Sequence, residues 1–209
     1  MKISLIPEVS IPLSSWAGGT SREYYIYPPE ASYREKNFLV RLSTAASNSD
    51  SPSNYTDLPG ITRYLIILEG TANVSHEGHH ELLMKPYDPI DTFDGGWKTV
   101  SQGMVTDFNL MLGNGVQGSM GLIESSGEIY LNHAAACSAV PRASHEWLGL
   151  FCAASTGRTG SFAAITGDGK SFNLQRGDLL LLEDFSQELP SLNITLAEGK
   201  LIRLDAWLE

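Results

Sequence analysis

Short apolar segments recur along the whole chain, and none is long enough to make a helix of ordinary length. They are Glu23–Tyr27, Phe38–Ala45, Tyr64–Leu68, Ala72–His76, Glu81–Lys85, Thr106–Leu112, Met120–Ser125, Glu146–Ala153, Phe162–Thr166, Ser171–Gln175, Asp178–Glu183, Asn193–Leu196 and Lys200–Asp205. Val, Ile, Leu, Tyr and Phe dominate them, and Gly, Pro, Asn and Asp separate them, which is the punctuation of an antiparallel sandwich or barrel. No window longer than about twelve residues carries a 3.6-residue apolar period. Only Leu131–Ala139 offers a short helix. The fold class is all-β.

Two tight turns suggest duplication. Thr166-Gly167-Asp168-Gly169-Lys170 and Ser75-His76-Glu77-Gly78-His79-His80 each join two strands through the glycines that such turns need. Each hairpin is followed by a turn ending in Asp, at Lys85-Pro86-Tyr87-Asp88 and Gln175-Arg176-Gly177-Asp178. The pattern favours two related jelly-roll halves over an immunoglobulin-like sandwich. The glycines of 113–118 mark the join, giving approximate halves 1–112 and 119–209 in one unit of 1–209, with exchange of strands between the halves left open. The polar stretch Ser47–Asn54 reads as a surface loop.

Of 209 residues, 14 are Lys or Arg and 24 are Asp or Glu, a formal charge of −10. With no basic patch to offset it, that charge argues against nucleic acid as a partner. Cys137 and Cys152 lack metal-ligand spacing and read as buried, reduced thiols. Pro7 and Glu8 interrupt any leader peptide, and the longest apolar run, Trp147–Ala154, is far short of the roughly twenty residues a membrane helix needs. A soluble, cytoplasmic protein without a membrane partner is expected.

Chemistry is sought where polar residues interrupt apolar strands. Alternation puts Arg41 and Ser43 on one face of Phe38–Ala45, and Asp107 and Asn109 on one face of Thr106–Leu112, about 6–7 Å apart. Arg63 opens the apolar Tyr64–Leu68 segment. Trp16-Ala17-Gly18-Gly19-Thr20-Ser21-Arg22-Glu23 is a glycine loop with an aromatic at one end and a charged pair at the other. Such faces are either solvated, or joined by an Arg41–Asp107 ion pair, or lining a barrel mouth in which arginine forks grip a carboxylate. Periodicity does not choose among the three.

That glycine loop, the strand Phe38-Leu39-Val40-Arg41-Leu42-Ser43-Thr44-Ala45, the turn Leu58-Pro59-Gly60-Ile61-Thr62-Arg63, then Leu68-Glu69-Gly70, and finally Thr106-Asp107-Phe108-Asn109-Leu110-Met111 resemble, in this order, the HutD/Ves family of bacterial proteins. The likeness covers about residues 16–112. The glycine loop lacks the family's Asn and one Gly, Ser21 replaces a Thr, and Leu39-Val40 stands where a Trp precedes the strand arginine. The resemblance implies a cupin-like double-stranded β-helix, two barrel halves in one chain (a bicupin), associated with histidine utilisation. It implies a small carboxylate ligand, with urocanate, formylated or formimino glutamate and formate as candidates.

If Arg22, Arg41 and Arg63 converge against Asp107, an anion is needed to complete a partly dry cluster. The expected ligand-binding residues are therefore Trp16 as cover, Arg22, Glu23, Arg41, Arg63, and Asp107 with Asn109 to orient the polar end. Beside arginines, Asp107 is expected to stay ionised with a lowered pKa. His76, His79 and His80, on one hairpin tip, read as solvated turn residues rather than a metal site, and His133 and His145 are isolated. No metal or cofactor is expected. No nucleophile motif is present, and Gly157-Arg158-Thr159-Gly160 is no phosphate loop. The leading expectation is a non-catalytic carboxylate-binding protein that regulates or modulates histidine utilisation or a related stress response. The alternatives are a metal-independent cupin enzyme with Asp107 or Glu23 as base, and a protein–protein regulator with a vestigial pocket. Exposed strand edges make a homodimer the expected assembly.

Overall fold

The computed structural model describes residues 1–131, 144–153, 163–167, 169–185, 191–197 and 199–208. Within them the protein is all-β, and its one helical turn is Glu8–Ser10. The strands are β1 (Lys2–Ile6), β2 (Ser14–Trp16), β3 (Gly19–Tyr27), β4 (Val40–Ser47), β5 (Ser53–Asn54), β6 (Thr62–Gly70), β7 (Ala72–His76), β8 (His80–Met84), β9 (Asp91–Asp94), β10 (Thr99–Gln102) and β11 (Val105–Leu112). They continue as β12 (Val116–Ile123), β13 (Gly127–Tyr130), β14 (His145–Ala153), β15 (Ala163–Gly167), β16 (Lys170–Leu174), β17 (Leu179–Glu183), β18 (Ser191–Leu196) and β19 (Lys200–Leu208). Every ladder for which a register is defined is antiparallel.

Two compact units form: Ile11–Val116, and Met1–Ser10 together with Gln117–Glu209. In the second, one sheet has the order β1-β17-β14-β19-β12 and the other β13-β18-β15-β16. Leu148, Leu150, Leu180, Leu182 and Leu201 from the first sheet meet Ile165, Leu174, Leu192 and Ile194 from the second in one core. Burying each such side chain is worth about 1.5–3 kcal/mol, which is why this apolar register is fixed. The chain's first strand belongs here, because it pairs along its length with β17 and Ile3 packs against this core.

The unit Ile11–Val116 pairs a six-stranded sheet, β2-β3-β4-β11-β6-β9, with a four-stranded one, β5-β10-β7-β8. Leu65, Ile67, Phe93 and Val105 of the larger sheet pack against Ala72, Val74 and Met84 of the smaller. A further cluster, Ala31, Phe38, Leu58, Ile61 and Met111, closes one end. The Ser47–Asn54 stretch is only partly a loop. Ser47 ends β4, and Ser53–Asn54 is an edge strand on β10. The hairpins expected around Gly78 and Gly169 are both present. Cys137, His133, residues 132–139 of the expected helix and Gly157–Gly160 lie outside the described residues. Cys152 is buried, and no described helix is long and apolar enough to cross a membrane.

Two bulges re-aim side chains in the larger sheet. Between β3 and β4 the register shifts after Glu23, and between β6 and β11 it shifts at Thr106/Asp107. Gly70 makes the second shift feasible. Its φ is +81°, and a Cβ there would lie 2.1 Å from the carbonyl oxygen of Met104. Gly70→Ala is therefore expected to cost about 2–4 kcal/mol of unfolding free energy, measured by denaturant titration. A loss below about 0.5 kcal/mol would show that the neighbouring strand yields freely.

Candidate functional site

The ladder registers decide which polar residues meet. Across β4, β11 and β6, Arg41 lies opposite Met111 and Met111 opposite Arg63, while Ser43 is opposite Asn109 and Ala45 opposite Asp107. Strand alternation then puts Arg41, Ser43, Arg63, Asp107 and Asn109 on the concave face of the sheet. They line a cavity of about 330 Å³, whose rim includes Trp16 and whose far wall carries Tyr55. The ring of Trp16 folds over Gly18, where any Cβ would fall 2.0 Å from a ring carbon.

Arg63 is almost wholly buried. Its guanidinium carbon sits 4.7 Å from the centre of the Tyr55 ring and 5.2 Å from that of Phe93, and its Nη2 donates to Asn109 Oδ1 at 2.9 Å. Nε has no hydrogen-bond partner among the described residues. Asn109 Nδ2 in turn donates to Asp107 Oδ1 at 2.5 Å. Arg41 stacks on Tyr33 at 4.2 Å, donates from Nε to Glu23 Oε2 at 2.7 Å, and from Nη1 to Ser43 Oγ at 2.9 Å. Stacking on aromatic faces holds both forks flat while leaving their edges for an acceptor.

Burial also sets the charge states. Desolvation raises the Asp107 carboxyl to about 7, against the opposing pull of Arg63, the Asn109 hydrogen bond and Arg41. This overturns the expectation of a lowered value, since neighbouring arginines are visible in a sequence and loss of water is not. Burial likewise works against the charge on Arg63 and keeps the Tyr55 phenol protonated.

Of the sequence-predicted residues, Trp16, Arg41, Arg63, Asp107 and Asn109 line the cavity, and Glu23 reaches it through its ion pair with Arg41. Arg22 does not join them. It follows alternation to the opposite face of β3 and donates from Nη1 to the Ile11 carbonyl at 3.1 Å. The three-arginine convergence reduces to two. Tyr33 and Tyr55 were missed, and the only trace of Tyr55 was an aromatic closing a polar run.

The histidine hairpin also differs from expectation. His76 is fully buried against Phe93 rather than solvated, because its strand position faces the space between the sheets. His80, directly across the ladder, is exposed, and His79 stacks flat on Trp97. Burial lowers the His76 pKa against the pull of Asp91.

The HutD family profile matches residues 9–199. The chain belongs to the HutD family. HutD from Pseudomonas fluorescens SBW25, solved in a formate condition, superposes with a TM-score of 0.73 at 17% identity over all of both chains. A conserved protein of unknown function from Pseudomonas aeruginosa PAO1 gives 0.77 at 17% identity over 99% of both. A cupin 2 conserved barrel domain protein from Leptotrichia buccalis gives 0.57 at 9% identity, over 100% of this chain and 98% of that one. These likenesses establish a cupin-like β fold. No protein of curated function matches in sequence.

The charge state of Asp107 has a measurable signature. Between its ordinary value near 3.8 and the folded value near 7, the folded chain holds a proton that the unfolded chain has released. Stability therefore falls as pH rises through that window. Relative to wild type, Asp107→Asn is expected to gain about 2–3 kcal/mol between pH 5 and pH 7, read from urea unfolding at each pH. A difference independent of pH would place the carboxyl in the usual range.

Proposed function

We propose that this HutD-family chain binds a small carboxylate in the cavity between Arg41 and Arg63, and through it takes part in histidine utilisation. The carrying observation is the pair of stacked, largely buried guanidinium groups that line one cavity. A carboxylate has the planar, two-oxygen geometry that an arginine fork fits. Asp107, about half protonated at pH 7 and increasingly so below it, would in that form hydrogen-bond the ligand as a donor instead of repelling it. Asn109 holds the Asp107 carboxyl in place, and Trp16 covers the mouth. The cavity size suits a metabolite rather than a macromolecule. The HutD structure solved in a formate condition supports an anion of this class, and the two sheets of each unit are read here as a double-stranded β-helix.

One observation favours a second reading, catalysis without metal. A buried carboxyl near pKa 7 is poised to exchange a proton at neutral pH. Turnover of a bound ligand, followed by mass, separates the two.

The binding test is a thermal-shift series with urocanate, formiminoglutamate, formylglutamate, glutamate and formate. A ligand at 100 times its Kd adds about 2.7 kcal/mol, or roughly 5–10 °C in Tm for a chain of this size. Arg63→Lys, which keeps the charge and loses the fork, is expected to weaken binding by about tenfold or more. Affinity for the best ligand is expected to fall about tenfold per unit above pH 7, and to lose that dependence in Asp107→Asn. No shift with any of the five at millimolar concentration would defeat the proposal.

A further inference from the structure

A second cluster is built in the same unit, where the Phe93 ring lies against both Arg63 (5.2 Å) and His76 (4.4 Å). His76 on β7 and His80 on β8 are cross-strand partners with ring centres 4.5 Å apart. Asp91, on β9 of the facing sheet, reaches them both: Oδ2 lies 2.8 Å from His76 Nε2, and Oδ1 lies 3.1 Å from His80 Nε2. One ligating atom from each of the three falls within 4.8 Å of the others. His76 and Asp91 are buried, while the His80 side chain is 41% exposed.

The Thr99 hydroxyl lies 2.8 Å from His76 Nδ1 and 3.1 Å from the Trp97 carbonyl, and holds the imidazole through its far nitrogen in either tautomer. With its proton on Nδ1, His76 turns the Nε2 lone pair toward the Asp91 carboxylate 2.8 Å away, the form in which both groups can ligate one cation. An imidazole fixed through its far nitrogen by a hydroxyl and a carbonyl is also how metal-binding histidines are held.

We propose that His76 Nε2, His80 Nε2 and the Asp91 carboxylate bind a divalent transition cation of the zinc type. Two imidazoles and one carboxylate suit such an ion and not Mg²⁺ or Ca²⁺, which take oxygen ligands. Bonds of about 2.0–2.1 Å in a tetrahedron put ligand atoms about 3.3 Å apart, so the three groups need to open only slightly. The exposed side of His80 leaves the fourth position to water or an exogenous donor. Because Asp91 belongs to one sheet and the histidines to the other, the ion clamps the two sheets there. Thr99 cannot serve as a nucleophile on a His–Asp pair, since it is only 2% exposed.

The test is calorimetric titration of the metal-stripped full chain with ZnCl₂, and with MgCl₂ as comparison. One Zn²⁺ per chain is expected, with Mg²⁺ at least roughly 100-fold weaker. His80→Gln, at an exposed position that leaves the fold intact, is expected to weaken Zn²⁺ by roughly 100-fold, and Thr99→Val by roughly 10–100-fold. His79→Gln should change nothing, and Co²⁺ should give the intense visible bands of a four-coordinate ion in wild type and His79→Gln but not in His80→Gln. Equal affinity in wild type and His80→Gln would overturn the assignment, as would Zn²⁺ binding no tighter than Mg²⁺. Loss of binding in His79→Gln would move the ion to the hairpin surface and overturn it too.

Discussion

Two guanidinium groups and one carboxyl are kept almost out of water on a single sheet face, and the site follows from how that is tolerated. Arg63 has Asn109, Tyr55 and Phe93 around it, and Arg41 has Glu23, Ser43 and Tyr33. Isolated charges so placed would cost several kcal/mol each. Aromatic faces and a short hydrogen-bond chain offset part of that cost, and the Asp107 proton removes another part by neutralising the carboxyl. On the proposed reading, an anion in the cavity offsets the rest, in a chain whose overall charge is −10.

The bulges make this geometry reachable. A regular ladder would carry strict alternation through the whole of β3 and β6. The shifts after Glu23 and at Thr106/Asp107 let apolar side chains return to the core while Glu23 and Asp107 keep facing the cavity. Gly70, with its positive φ and its close approach to Met104, belongs to that device. The same sheet contributes Asp91 to the histidine cluster, so one scaffold positions two polar groups with different chemistry.

Much of the strand pattern was legible because long apolar strands repeat every second residue. Phe38–Ala45 and Thr106–Leu112 correspond to β4 and β11 within two residues, and alternation placed Arg41, Ser43, Asp107 and Asn109 on shared faces. Short polar strands such as Ser53–Asn54, Asp91–Asp94 and Thr99–Gln102 carry no such signal, since their partners alone define them. Alternation was also sufficient to separate Arg22 from Glu23, and the expectation that Arg22 joins the cluster ran against it. His76 was misread because a hairpin tip is normally wet, and only the facing sheet, with Phe93 and Asp91, dries it. The Asp107 pKa depends on the depth of burial, which no residue pattern records.

The most direct measurement is a pH titration of the Asp107 carboxyl carbon by NMR, with and without a saturating carboxylate. The account predicts a midpoint near 7 in the free protein and a higher one in the complex, because a bound anion favours the protonated form. A midpoint in the usual carboxylate range, unmoved by ligand, would contradict it.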